Sequence, residues 1–364
     1  MDLTSALLGA VMVLSVVSEV EVTCVMAEKD YISWDDVRVN QNEYKNMIRE
    51  ELYSRRNDQS NRSGVIFVDK NGRGDSITVQ GAVDMVPENN SRRVKILILP
   101  GTYREKVHVP SSKPYISFIG DEDQNSKTII TWHDKASDKN ADGSELGTYR
   151  SASVTVESDF FCANGITFEN TVVAVPGGYG MQAVALRVSG DKAMFYRVRV
   201  LGTQDTLLDD TGSHYFYQCF IQGSVDFIFG KSTSLYEECV LHSTAKNFRA
   251  IAAHHRDSPS DDSGFSFVNC VINGTGNIYL GRAWGEYSRA VYSHCYIDNI
   301  ITPPGWSDWN HPSRQKTAVF GEYQCRGRGA DKRGRVLWSK TFSHEEATQF
   351  LDKKFIQGER WLRL

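Results

Sequence analysis

The sequence predicts an all-β solenoid, a single-stranded parallel β-helix with short helical caps, and three observations carry that expectation. From about Val65 onward, long helical faces are scarce and short β-branched and aromatic runs dominate, such as VKILIL (94–99), ASVTV (152–156) and HYFYQCFI (214–221). The runs also repeat. GITFEN (165–170), RVRVLG (197–202), QCFIQG (218–223), ECVLHS (238–243), NCVING (269–274) and HCYIDN (294–299) share one apolar spacing. Their successive offsets are 32, 21, 20, 31 and 25 residues, which reads as a coil of about 20 residues with tolerated insertions. A propeller blade needs about 40 residues, and the Leu and Asn positions of a leucine-rich repeat are absent.

The elements follow in chain order. The only long apolar run is LLGAVMVLSVV (7–17), which is short for a membrane span and suits the apolar region of a secretory signal. Val25-Met26-Ala27 offers a small-residue cleavage site, so residues 1–27 are assigned to a signal peptide. They contain no Lys or Arg, so an uncleaved anchor or a buried strand is the competing reading. Residues 28–61 are read as an N-terminal segment and cap, and 62–364 as the β-helix domain. Ile77–Met85 and Glu345–Phe355 read as short helices, because the ends of a solenoid need covers. No linker interrupts the chain, so one domain is expected.

Composition narrows the function. Hydrophobic residues are 40% and charged residues 24% of the 364, the balance of a globular protein with a sizeable core. The formal charge is -4, with none of the basic excess that a nucleic-acid binder needs. A polyanionic substrate stays open, because local arrangement outweighs the total. Cleavage after Ala27 discards Cys24 and leaves six cysteines: Cys162, Cys219, Cys239, Cys270, Cys295 and Cys325. In an oxidising compartment such a set reads as disulfide candidates. Cys219 and Cys239 are 20 residues apart, hence in adjacent coils and within bridging distance, so that pair is the expected disulfide. A stack of buried free thiols is the competing reading. Asn61, Asn89 and Asn273 begin glycosylation sequons.

Four polar residues fall in register. Gln182 precedes Gln204 by 22 residues, and Asp205 precedes Asp226 by 21. Stacked coils then place the two carboxylates roughly 5 Å apart on one face. Like charges that close, in the apolar settings GTQDTL (202–207) and GSVDFIFG (223–230), do not both ionise, which yields an acid beside a base or nucleophile. The two amides can donate to a developing oxyanion. The set suits ester hydrolysis; turn caps or a Ca²⁺ site are the structural alternative. Arg282, two residues before Trp284, would hold an aspartate ionised, but the spacing alone does not place it in register. Trp284, Phe229 and Tyr149 offer flat surfaces for sugar rings. No metal motif, GxSxG elbow, P-loop or dinucleotide fingerprint occurs.

At these residues the sequence resembles the plant pectin methylesterases, or pectinesterases. GTYREKV (101–107), QAVALR (182–187), GTQDTL, GSVDFIFG and LGRAW (280–284) match the family's motifs in order, as do GEYQCRGRGA (321–330) and GERWL (358–362). The resemblance spans about residues 62–363. It implies a right-handed parallel β-helix that is secreted to the cell wall and removes methyl esters from homogalacturonan, without a metal or organic cofactor. It implies Asp226 as nucleophile, Asp205 as general acid/base, Gln204 and Gln182 as oxyanion and substrate contacts, and Arg282 as the partner of Asp226. Thr148, Trp284 and Phe229 resemble substrate-binding positions. The implied partners are methyl-esterified homogalacturonan and a proteinaceous inhibitor; a monomer is expected, with no nucleic acid and no membrane after signal cleavage. The family often has Cys at the position of Val198 and a different residue at Arg328. A pectin lyase or glycosidase, and a catalytically silent pectin-binding protein, are the alternative functions.

Overall fold

The computed structural model describes residues 30–38, 46, 64–121, 127–175, 177–246 and 249–364. The expected signal peptide and Asn61 lie outside these residues. Three parallel sheets run the length of the molecule. The first has eleven strands, from Val65–Val68 to Lys340–Thr341, and the second has eight, from Gly101–Arg104 to Tyr296–Ile297. The third also has eight, from Val107–Val109 to Trp306–Ser307. Each coil gives one strand to each sheet in turn; Ala193–Tyr196, Arg199–Leu201 and Leu207–Asp209 make one coil. This is a right-handed parallel β-helix.

The pairing follows the sequence offsets. Cys162 faces Met194, Ala193 faces His214, Ser213 faces Thr233, Thr233 faces Gly264, and Phe265 faces Ala290. In six successive coils the turn from the first sheet to the second is made by a single left-handed residue. Arg197, Gln218, Glu238, Asn269, His294 and Gln324 occupy it with φ between 48 and 55°. The next residue, Val198 or a cysteine, then points into the core.

In-register stacking puts like on like inside. Phe195, Phe216, Tyr236, Phe267 and Tyr292 form a continuous aromatic ladder, with ring centroids 4.6, 4.7, 4.8 and 4.4 Å apart. Each such burial contributes about 1.5–3 kcal/mol, and each stacked pair about 0.5–1.5 kcal/mol more.

The cysteines overturn the expected bridge. Cys219 and Cys239 are neighbours in adjacent coils, as the spacing predicts, but both are free thiols, as are Cys162, Cys270, Cys295 and Cys325. In a parallel, in-register stack the Cβ vectors point the same way and keep the strand spacing of about 4.8 Å. A disulfide wants Cβ atoms about 3.8 Å apart and converging. Each thiol instead donates to a carbonyl one coil back: Cys219 to Phe195 at 3.3 Å, Cys239 to Phe216 at 3.4 Å and Cys270 to Tyr236 at 3.3 Å.

The covers differ from simple end caps. Val79–Met85 is the expected helix over the first coil, and Glu105 caps it by accepting from the Val79 and Gln80 amides at 2.8 and 2.9 Å. The C-terminal helix is shorter than expected, His344–Thr348, followed by a 3-10 turn at Lys353–Ile356. That tail and residues 30–38 lie along the outer flank of the first sheet, where Ile32–Ser33 pairs with Leu362–Arg363. Ile32, Val37, Ile356 and Trp361 bury Tyr196, Tyr215 and Leu235 there. Asn89 is exposed at a turn, whereas Asn273 sits in a strand with its Oδ1 2.8 Å from His242 Nδ1.

Candidate active site

The site lies on the outer face of the third sheet. Gly202 and Gly223 are equivalent positions in successive coils, each followed three residues later by an aspartate. A side chain at either would collide with the turn that follows: a Cβ at Gly223 would meet Phe227 Cβ at 2.2 Å, and one at Gly202 would meet Thr206 Oγ1 at 2.8 Å. Asp205 and Asp226 both adopt left-handed backbone, with φ of 60 and 44°, which Asp tolerates better than most residues. The Asp205 amide donates to the Val225 carbonyl at 2.9 Å and the Asp226 amide to Ala250 at 2.8 Å. That register sets Asp205 directly beside Asp226. The Ala183 amide donates to Gln204 at 3.1 Å, which stacks Gln182 on Gln204 in the adjacent column.

Arg282, which the spacing could not place, is put in register by the sheet. It pairs with Ala253, which pairs with Phe229, which pairs with Leu208. Its Nε donates to Asp226 Oδ1 at 2.7 Å and its Nη2 to Asp226 Oδ2, a two-point grip on a carboxylate that is 5% exposed. Asp205 is half-buried. Withdrawal from water, and then the charge of Asp226, push its carboxyl well above the usual range; Arg282 opposes this with less effect. The pair is therefore unequal: Arg282 grips the Asp226 carboxylate at two points, while burial beside that charge favours the protonated form of Asp205.

The floor is apolar. Ala152, Val184, Leu208, Phe229 and Ala253 form a cluster separate from the main core, and Trp284 and Trp309 pack against it. Phe229 and Trp284 have ring centroids 6.1 Å apart. Thr148 lies in the short helix Gly147–Arg150 on the N-terminal side. Its carbonyl accepts from Ser151 Oγ at 2.7 Å, and that oxygen accepts from the Val184 amide at 3.1 Å, tying the helix to the strand after Gln182. Gln182 is half-buried and its Oε1 is buried without a partner among the described residues.

The structure thus brings Gln182, Gln204, Asp205, Asp226, Phe229, Arg282 and Trp284 to one face, with Thr148 on its margin. Sequence reasoning missed Trp309, whose ring centroid lies 3.7 Å from Arg282 Cζ and backs the guanidinium. Its register appears only once Arg282 is paired with Ser307. Tyr149, considered as a sugar surface, is bonded to Asp210 at 3.0 Å and lies against Arg187. Among the described residues no cluster of His, Cys, Asp and Glu has the arrangement of a metal site.

Comparison with known proteins bears on the same residues. The pectinesterase family model matches residues 65–359. The chain is 64% identical over 346 residues to Pectinesterase QRT1 of Arabidopsis thaliana, covering 92% of this chain and 91% of that protein. It is 43% identical over 301 residues to Putative pectinesterase 11 of the same plant, covering 82% and 81%. Among solved structures, the pectin methylesterase from carrot superposes with a TM-score of 0.76 at 37% identity, covering 83% of this chain and 96% of that one. The match runs through every coil that builds the site, and the chain belongs to the pectinesterase family, the pectin methylesterases.

Proposed function

We propose that this enzyme removes methyl esters from homogalacturonan, releasing methanol, through an aspartate nucleophile and an aspartate acid. Asp226 attacks the C6 ester carbonyl, and the carbonyl electrons move to oxygen, where the Gln182 and Gln204 amides donate to it. Asp205 gives its proton to the departing methoxide, and methanol leaves. The ionised Asp205 then takes a proton from water, which attacks the acyl-enzyme and frees the galacturonate carboxylate. Arg282 keeps Asp226 anionic and aimed, and Trp284, Phe229 and Thr148 contact the sugar chain.

The observation that carries this reading is the asymmetry of the pair: Arg282 grips Asp226 at two points, while Asp205 beside it has no cationic partner of its own among the described residues and its carboxyl is pushed up by burial and by the Asp226 charge. The Gln204 and Gln182 side chains make no hydrogen bond to protein groups among the described residues, which suits donors kept for a ligand. We further propose cleavage after Ala27, secretion to the cell wall, action as a monomer, regulation by a proteinaceous inhibitor, and no cofactor. The test is methanol release from methyl-esterified galacturonan with chain ends counted in parallel. Methanol without new ends is expected, with or without EDTA on soluble substrate. New chain ends would favour a lyase or glycosidase, and binding without methanol a silent protein.

A further inference from the structure

Two adjacent histidines close the strand Ala250–His254, one coil beyond Asp226, and alternation sends them to opposite faces. His254 points inward and is fully buried, edge-on to Phe265 with ring centroids 4.7 Å apart. Its Nδ1 accepts from the Arg289 amide at 3.2 Å, and burial pushes its pKa down to about 3, so it stays neutral and belongs to the core. His255 points outward, to the side of the sheet that carries the site, and the mechanism above does not use it. His254 pairs with Ala283, so His255 and Trp284 are cross-strand neighbours. Their ring centroids are 4.8 Å apart at an interplanar angle of 88°. The two strands meet closely here: a Cβ at Gly285 would lie 2.4 Å from the Arg256 amide nitrogen and 3.1 Å from His255 Cα.

Trp284 depends on such a neighbour. Its indole makes no hydrogen bond among the described residues, so packing alone sets its pitch, and His255 is a closer ring than Phe229 at 6.1 Å. His255 is itself held. Its Nε2 donates to Asp257 Oδ1 at 2.5 Å, and Asp257 Oδ2 lies 3.8 Å from Lys231 Nζ, one coil back. His255 Nδ1 is buried without a partner among the described residues, so the bond to Asp257 is what fixes the rotation of the ring. Asp257 can aim back because buried Arg256 pins the loop from within. Its Nε donates to the Asp261 carbonyl at 2.5 Å, its Nη2 to Pro259 at 2.6 Å and its Nη1 to Tyr287 at 3.2 Å.

We propose that His255, oriented by Asp257, is a positioning residue that sets the pitch of the Trp284 indole and so the seating of a sugar ring beside the reacting ester. This rests on the reading of Trp284 as a sugar contact and deepens it. His255 makes no hydrogen bond to Asp205, Asp226 or Arg282, so it acts through the indole and not on the bonds that change. An indole that tilts loses stacking area against the sugar in ground state and transition state alike, which weakens binding without slowing the chemical step. The Asp257–Lys231 pair is too exposed to add much to stability, with side chains 70% and 42% accessible, and what it supplies is orientation.

The test is a double-mutant cycle on methyl-esterified galacturonan, with KM, kcat and melting temperature measured for H255A, W284A and H255A/W284A. D257A is added because it alters a surface side chain and reads the same effect without disturbing packing. We expect H255A to raise KM about fivefold and D257A about threefold, with kcat changed less than about twofold and the melting temperature kept. H255A should add nothing to the KM of W284A. Intrinsic tryptophan fluorescence should differ between the unmodified enzyme and H255A, and agree between W284A and H255A/W284A. An unchanged KM in H255A or D257A, or effects of H255A and W284A that multiply, overturns the positioning. An unchanged KM in W284A overturns the sugar-contact reading beneath it, a separate outcome.

Discussion

The inner and outer faces of the same strands obey different rules. Inside, each coil repeats its neighbour, with Phe195, Phe216, Tyr236, Phe267 and Tyr292 in one column and Cys219, Cys239, Cys270, Cys295 and Cys325 in another. Outside, on the third sheet, the column reads Arg187, Leu208, Phe229, Ala253, Arg282 and Ser307, with no two neighbours alike. Close packing at the strand spacing rewards identical shapes inside, where a misfit leaves a void or a clash. The outer face carries no such demand. At the start of these strands the repeat still sets Gln182 on Gln204 and Asp205 beside Asp226, and the unlike residues of the strand column bring Arg282 within reach of Asp226, so the repeat that makes the fold monotonous also builds the site.

If the outer column is chemistry, its residues are expendable for folding. D226N and D205N should each lower turnover by roughly 10³-fold or more while keeping pectin binding and without lowering the melting temperature. A turnover near that of the unmodified enzyme in either folded variant removes that aspartate from the mechanism. The raised Asp205 carboxyl adds a sign: the folded state holds this proton more tightly than the unfolded chain. Stability from this group therefore falls as pH rises from the ordinary carboxylate range through the folded value. D205N should flatten that slope and raise the melting temperature at neutral pH, and loss of activity toward high pH should track Asp205 ionisation. R282K keeps the charge and loses the two-point grip and the stacking on Trp309; kcat should fall about 10²-fold, with a smaller change in KM.

If the inner face is structure, its polar exceptions should fail by unfolding. His214 is fully buried, with Nδ1 donating to Asp209 Oδ1 at 2.5 Å and Nε2 to the Gly190 carbonyl at 2.8 Å, so both ring nitrogens call for protons. Tyr236 donates to the other Asp209 oxygen at 2.5 Å. Burial disfavours charge on both partners, but each raises the other's tendency to stay charged, so His214 is shifted up and Asp209 down. The pair stabilises fully between the ordinary values of 3.8 and 6.5. Its contribution is lost as pH falls through the lowered Asp209 value or rises through the raised His214 value. H214F should cost about 3–5 kcal/mol by denaturant unfolding. It should leave kcat per folded molecule unchanged. The smallest effect concerns the thiols. Burial raises the Cys239, Cys270 and Cys295 thiols well above the usual range, so they should resist alkylation at pH 8 until the chain unfolds. A Cys219–Cys239 disulfide in non-reducing mass mapping would contradict the free-thiol ladder.

The sequence by itself determined the repeat, its offsets and therefore the column that joins Gln182 to Gln204 and Asp205 to Asp226, because a parallel stack converts a difference of about 21 residues into a single strand spacing. It also supplied the family motifs. Tertiary structure decided what crosses the insertions. Arg282 follows a 31-residue coil, and only the chain of pairings through Ala253 and Phe229 brings it to Asp226. Trp309 depends on Arg282 in turn. The cysteine spacing was read correctly as adjacency and wrongly as a bond, because offset fixes distance along the stack and says nothing of the direction in which two Cβ atoms point. The terminal segments were read as end covers for the same reason. Their apolar pattern shows that they bury a face, and only packing against Tyr196, Tyr215 and Leu235 shows that the face is the flank of the first sheet.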